Sequence, residues 1–255
     1  MGSFGIGAAA AILAFVSGMV GLYLGVALPE KHSIERARDM IGSIAGLFSL
    51  LLALVLGTLV GNAYAFYATQ KSEMETLASR VVQLDVALAE FGAETASIRA
   101  GLKQSMHSVH DMIWGNNVGL QSRDASIVPA LSHLRELDTS VASLNPQTPA
   151  QRQFAGTAAV DASVIEQTRI LISLQLASPV SWPLIFVVIS WALILFCGYG
   201  MLSRFNATTL VALAFGAFAV GSAIFLILVM SEPFTGLFRI PSGAIDQTLE
   251  ALGAM

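Results

Sequence analysis

The residues best placed to do chemistry together are His107, His110 and Asp111, which fall within two turns of a helix. Imidazole and carboxylate groups at that spacing are compatible with metal ligation. Two histidines three residues apart are also ordinary on a solvated helix face, and that is the simpler reading. Asp85 and Arg99 form a second set, either a buried pair beside a bend at Gly92 or two solvated charges. No Gly-x-Ser-x-Gly elbow, phosphate loop or zinc-protease sequence accompanies the serines and histidines, so neither enzyme activity nor a cofactor is expected. Cys197 stands alone in an apolar run and can build neither a disulfide framework nor a cysteine metal site within one chain.

Asp, Glu, Lys, Arg and His are missing from four apolar runs: Phe4 to Leu28, Ile41 to Ala68, Trp182 to Leu202 and Thr208 to Met230. Ionisable groups inside a membrane mark proton relays, ion-coupled carriers and voltage sensors. Their absence argues against a pump and leaves a passive pore, gated by dewetting of a constriction. In the second run Phe48, Leu51, Val55, Thr58 and Asn62 recur at spacings of three and four and share one helix face. A symmetric oligomer could turn that face to a central axis, with an apolar neck from Phe48 to Val55 and a polar mouth at Thr58 and Asn62. In a closed bundle the same face is simply core, with Thr58 and Asn62 bonded to neighbouring helices.

The elements that must carry these residues follow from composition. Hydrophobic residues make up 55% of the chain and charged residues 12%, against roughly 25% charged in ordinary soluble domains. A run of roughly 20 apolar residues crosses a bilayer, so the fold class is an all-α integral membrane protein. Four transmembrane helices are expected, with an extramembrane helical domain inserted between the second and third. The corresponding segments are 1–68 for the first two spans, 69–181 for the inserted domain, 182–231 for the last two spans, and 232–255 for a turn and short amphipathic tail. Phe4 to Leu28 lacks a basic leader and a good cleavage site, and reads as a retained span. The net charge of −4, without any Lys/Arg cluster, removes nucleic acid from the expected partners.

Beyond Thr69, Leu77, Val81, Leu84, Leu88 and Phe91 continue the second helix as an amphipathic one, broken near Gly92 and resuming at Ile98. Helices are expected to end at Trp114, to run from Ile127 to Leu144, and to run from Pro149 to Ala177 with Thr148 as cap. Gly21-x-x-x-Gly25, Gly42-x-x-x-Gly46 and Gly57-x-x-x-Gly61 are spaced for close helix packing in lipid. Lys31, Arg36 and Arg38 in the short connector place it in the cytoplasm, with the inserted domain and both termini periplasmic.

Several segments in order resemble the bestrophin-like family of bacterial and plant membrane proteins. They are Leu28-Pro-Glu-Lys-His-Ser, the stretch from Gln83 to Glu94 with Asp85 and Gly92, then Arg99, Gln167-Thr-Arg ending at Arg169, Asn206, and Pro233-Phe-Thr-Gly with Phe234 and Gly236. The chain departs from the family just before that last element, where Val229-Met-Ser-Glu replaces a more highly charged sequence. The resemblance implies kinship with bestrophins, which are pentameric anion channels lined by the second span. Such a protein would sit in a bacterial inner membrane as a homo-oligomeric passive channel, anion-selective by analogy. The alternative is a noncatalytic accessory or scaffold subunit of a larger membrane complex, which needs only small-residue helix faces and a docking domain.

Overall fold

The computed structural model describes residues 2–27, 33–115, 134, 137–176, 182–234 and 238–254. These form helices α1 (Ser3–Ala27), α2 (Ser33–Phe91), α3 (Ala96–Trp114), α4 (Leu137–Ala142), α5 (Pro149–Leu176), α6 (Trp182–Leu202), α7 (Ala207–Met230) and α8 (Gly243–Ala254). A 3-10 turn, Ala93–Thr95, precedes α3, and no strand occurs among the described residues. Four helices are long and apolar enough to cross a membrane: α1, α2 from Met40, α6 and α7. Of the helix expected over Ile127–Leu144, α4 is helical, Leu134 lies in a turn and the helix stops at Ala142, two residues short of the expected end, while residues 127–133, 135 and 136 lie outside the described residues. The chain divides into two compact units, Met1–Phe66 with Pro179–Ser231 and Tyr67–Ser178 with Glu232–Met255.

In the first unit α1 packs along α6 and α7 through backbone approaches that only glycine allows. A Cβ on Gly21 would overlap the Cys197 carbonyl, and one on Gly200 would overlap the Gly18 carbonyl. Between α1 and α7, a Cβ on Gly7 would lie 2.7 Å from the Phe225 Cβ. Water exclusion cannot hold helices together in lipid, so such close van der Waals contact does. Ser17 adds a hydrogen bond, donating to the Leu193 carbonyl at 2.7 Å. The apolar part of α2 contributes one stripe, with Ala45 and Leu52 buried against Val188, Ala192 and Leu195 of α6. Its glycines behave differently: nothing lies within 4 Å of a Cβ built on Gly42, Gly46, Gly57 or Gly61.

The second unit is a helical bundle around an apolar core. Leu77, Val81, Leu84 and Leu88 of α2 meet Leu102, Met106, Val109 and Ile113 of α3 and Ala158, Ala162 and Ile165 of α5. Each set recurs at three- and four-residue spacing, which lays a continuous stripe along its helix. At Gly92 the backbone takes φ 132° and ψ −178°, a region open essentially to glycine alone, and α2 ends there. The Thr95 hydroxyl lies 2.6 Å from the Leu88 carbonyl, to which it donates. It thereby serves one of the carbonyls that a helix end leaves unpaired. At the start of α5, Thr148 and Gln151 form a reciprocal capping box: the Gln151 N–H donates to the Thr148 hydroxyl and the Thr148 N–H to the Gln151 side chain.

Candidate pore face and family residues

The structure divides the five residues that share a face of α2. Phe48 and Val55 pack against the cluster that joins α2 to α6, with the Phe48 ring 5.2 Å from that of Trp191. Leu51, Thr58 and Asn62 are exposed. The Thr58 hydroxyl is satisfied within the helix by donating to the Leu54 carbonyl. The Asn62 amide makes no hydrogen bond with any described residue. Leu47, Leu54, Gly57 and Gly61 are exposed alongside, so the open face of α2 is broader than the five residues and centred on the Leu47–Leu54–Gly61 side. The burial pattern follows from helical geometry: Phe48 and Val55, about 60° round the helix from the buried Ala45–Leu52 stripe, fall at its edge, and residues about 100° or more round leave it.

Arg99, partly exposed, pairs with buried Asp85 across the Gly92 turn. Arg99 donates through Nε and one terminal nitrogen to the two Asp85 carboxylate oxygens, at 2.7 and 2.8 Å. Asp85 is 2% exposed. Hydrogen bonding to Asp85 raises Arg99 above its ordinary value, while burial opposes this and the carboxylate charge adds to it. Arg169 makes a similar two-pronged grip on Glu166 one turn back along α5, and its raised pKa has the same leading cause, the hydrogen bonds to its carboxylate partner. Asn206 caps α7, its side-chain oxygen accepting from the Thr209 N–H at 2.7 Å. Asn206 thus serves a helix end, while the two arginines each satisfy a carboxylate.

Phe234 is fully buried in the core of the second unit. The Pro233 carbonyl accepts from the Ile240 N–H at 2.9 Å, closing the turn. Gly236 lies outside the described residues. Beyond the turn, Trp114 donates from its indole nitrogen to the Ile240 carbonyl at 3.0 Å, and Arg239 donates to the Ile113 carbonyl at 2.9 Å. The Arg239 guanidinium also lies over the Trp114 ring, 5.8 Å from its centroid, where a cation is attracted to the ring face. The tail is thus fixed to the C-terminal end of α3.

His110 lies between two carboxylates, with Nδ1 3.1 Å from Asp111 and Nε2 3.2 Å from Asp246 of α8. His107 is exposed. Among the described residues no three His, Cys, Asp or Glu side chains gather as a metal site. Sequence spacing missed Asp246, because it arrives from a helix more than 130 positions away. It also missed the pairing of Arg80 with buried Asp161, 3.0 Å apart. The signal available for that pair was only a charge at a core position of an amphipathic helix.

The model of the Bestrophin-like domain matches residues 11–245. This chain belongs to the bestrophin-like family. The fold of this bestrophin-like protein is similar to crystal structures of a bacterial bestrophin homologue from Klebsiella pneumoniae. One, carrying an isoleucine-to-threonine mutation, aligns with a TM-score of 0.68 and 12% identity over 95% of this chain and 97% of that one. Another, carrying a leucine-to-threonine mutation, aligns with a TM-score of 0.67 and 12% identity over 95% and 96%. At that identity the likeness is one of fold. No curated protein matches the sequence significantly.

Proposed function

We propose that this bestrophin-like protein is a homo-oligomeric passive ion channel whose α2 helices surround the conduction path. The observation that carries the proposal is Asn62: the uncharged apolar span of α2 presents an exposed amide with no hydrogen-bond partner among the described residues. An unsatisfied amide facing hydrocarbon costs several kcal/mol. Water in a lumen, or a neighbouring copy, removes that cost. Leu51 then supplies the apolar constriction, with Phe48 and Val55 packed behind it on α6, and Thr58 and Asn62 form the polar mouth. Membership of the family and the full-length likeness to bacterial bestrophin homologues support the same reading. Anion selectivity comes by analogy, since no basic ring can be assigned.

Single cysteines at Leu51, Thr58 and Asn62, in a Cys197→Ser background reconstituted in liposomes, test the proposal. Ion flux is expected in the parent, with block by a water-soluble thiol reagent at the three sites and no effect at Phe215, which is 72% exposed on α7. Tight vesicles containing assembled protein would refute it. Stoichiometric co-purification with unrelated subunits would favour the accessory-subunit reading. The charges of the connector support a periplasmic second unit, and labelling of a Glu94→Cys variant from outside intact cells tests that placement.

A further inference from the structure

A cavity of about 650 Å³ opens between α2, α6 and α7 within the first unit. Its body is apolar, with walls from Leu52, Leu56, Leu195, Leu213 and Val220, and no charged side chain lines it. All three helices are apolar enough to cross a membrane, so an acyl chain is a chemically matched occupant of this space. One end is different. Ser203, Asn206 and Thr208 gather there, at the turn between α6 and α7. The oxygen of the Asn206 side chain is used in capping α7, which leaves its NH2 free to donate. Arg204 lies in the same turn between two lining residues, exposed and without an ion-pair partner among the described residues.

We propose that this cavity binds one membrane phospholipid, with an acyl chain between α2, α6 and α7 and its phosphodiester at Arg204 and Asn206. The volume lies in the range of roughly 300–1,000 Å³ typical of small-ligand sites, and an apolar void left empty would forfeit its dispersion contacts. The charge sequence of a phospholipid, an apolar chain followed by an anionic phosphate, matches that of the site: apolar walls, then hydroxyl and amide groups, then a guanidinium. Basic groups beside intramembrane clefts recognise lipid head groups through the same chemistry. Lipid held here would press on Leu52 and Leu56, and hence on the stripe of α2 that rests on α6.

The test uses the full-length protein in vesicles of a phosphatidylglycerol that carries a photoactivatable diazirine near its acyl terminus. Cross-links are expected to concentrate on lining peptides of α2, α6 and α7, not on Phe215 and Phe218 of the exposed α7 face. Ala53→Phe and Ala212→Phe, introduced separately, fill the cavity from different helices and should each remove most of that labelling. Arg204→Gln should lower capture of the phospholipid about fivefold, the size of an exposed ion pair. The same variant should leave capture of a diacylglycerol with the same chains unchanged. Labelling spread evenly over the α7 surface, equal in parent and both filling variants, would overturn the proposal in favour of ordinary annular lipid. A cross-link from these lining positions to a second copy of the chain would also overturn it. Neither result depends on whether the protein conducts ions.

Discussion

Arg99 reaches back across the Gly92 turn and holds both carboxylate oxygens of Asp85, at 2.7 and 2.8 Å. Asp85 is almost wholly buried, whereas the Arg99 side chain is 25% exposed. Removing the cation therefore strands a buried charge, while neutralising the carboxylate leaves an arginine that can turn to water. Arg99→Met is expected to cost about 2–4 kcal/mol, discounted from a fully buried pair for its partial exposure. Asp85→Asn should cost less, and the double variant should recover part of the Arg99→Met loss. Melting of the four proteins in one detergent provides the cycle, and strict additivity would show that the pair is not coupled. Because Arg99 is raised above its ordinary value, its contribution is present below the unfolded pKa and lost only as pH climbs through the folded one. That window lies in strong alkali, so titration of Arg99 should not move the melting temperature across the neutral range.

Gly92 and Gly101 are both open to a methyl group, with nothing within 4 Å of a built Cβ at either position. They differ in backbone. Gly92 has φ 132°, and Gly101 lies inside α3. Gly92→Ala should destabilise by about 1–3 kcal/mol from backbone strain alone. Gly101→Ala should stabilise by up to about 1 kcal/mol through helix propensity. Chemical denaturation of the two variants checks the sign of each, and like signs would contradict the conformational argument.

The four apolar helices were legible because charge is absent from them, a pattern that needs no partner to be read. The Gly92 break was legible for a similar local reason, and the Thr148 cap likewise. Contacts made across the chain were not. Gly21 and Gly25 share their spacing with Gly57 and Gly61, yet a Cβ on either of the first pair would meet α6 backbone and one on either of the second would meet nothing within 4 Å among the described residues. Spacing shows that a close approach is possible without showing what approaches. The face carrying Phe48, Leu51, Val55, Thr58 and Asn62 was legible as a periodicity, but its division depends on where α6 presents Trp191. Asp246 beside His110, and Asp161 beside Arg80, depended on tertiary packing that one sequence does not encode as a pattern.

Phe234 anchors the tail with no exposed surface, whereas Phe238, four residues on, is 42% exposed. Truncating a buried phenylalanine typically costs about 3–5 kcal/mol through lost burial and the cavity left behind. Phe234→Ala should therefore lower the melting temperature and make the α8 segment sensitive to limited proteolysis, because the Trp114 and Arg239 bonds to the turn lose their support. Phe238→Ala should leave both readouts near the parent. Equal protease resistance in the two variants would mean that the hydrogen bonds to α3 hold the tail without the aromatic anchor.

Gly200 and Gly61 separate packing within one chain from packing between chains. A methyl group at Gly200 would run into the Gly18 carbonyl, which is backbone and cannot rotate away, so Gly200→Ala must push α1 from α6. Overpacking of this kind costs about 1–3 kcal/mol or more, and the expected result is little folded protein by fluorescence-detected gel filtration. A Cβ at Gly61 meets nothing within 4 Å among the described residues, and Gly61→Leu should leave helicity and yield intact. In the proposed ring, however, Gly61 lies on the open face of α2 next to Asn62, where only a small residue permits a neighbouring helix to come close. Native mass spectrometry of Gly61→Leu should then show smaller assemblies than the parent, with the protomer still folded. An unchanged assembly mass, with ion flux also unchanged, would move the subunit contact off this face of α2.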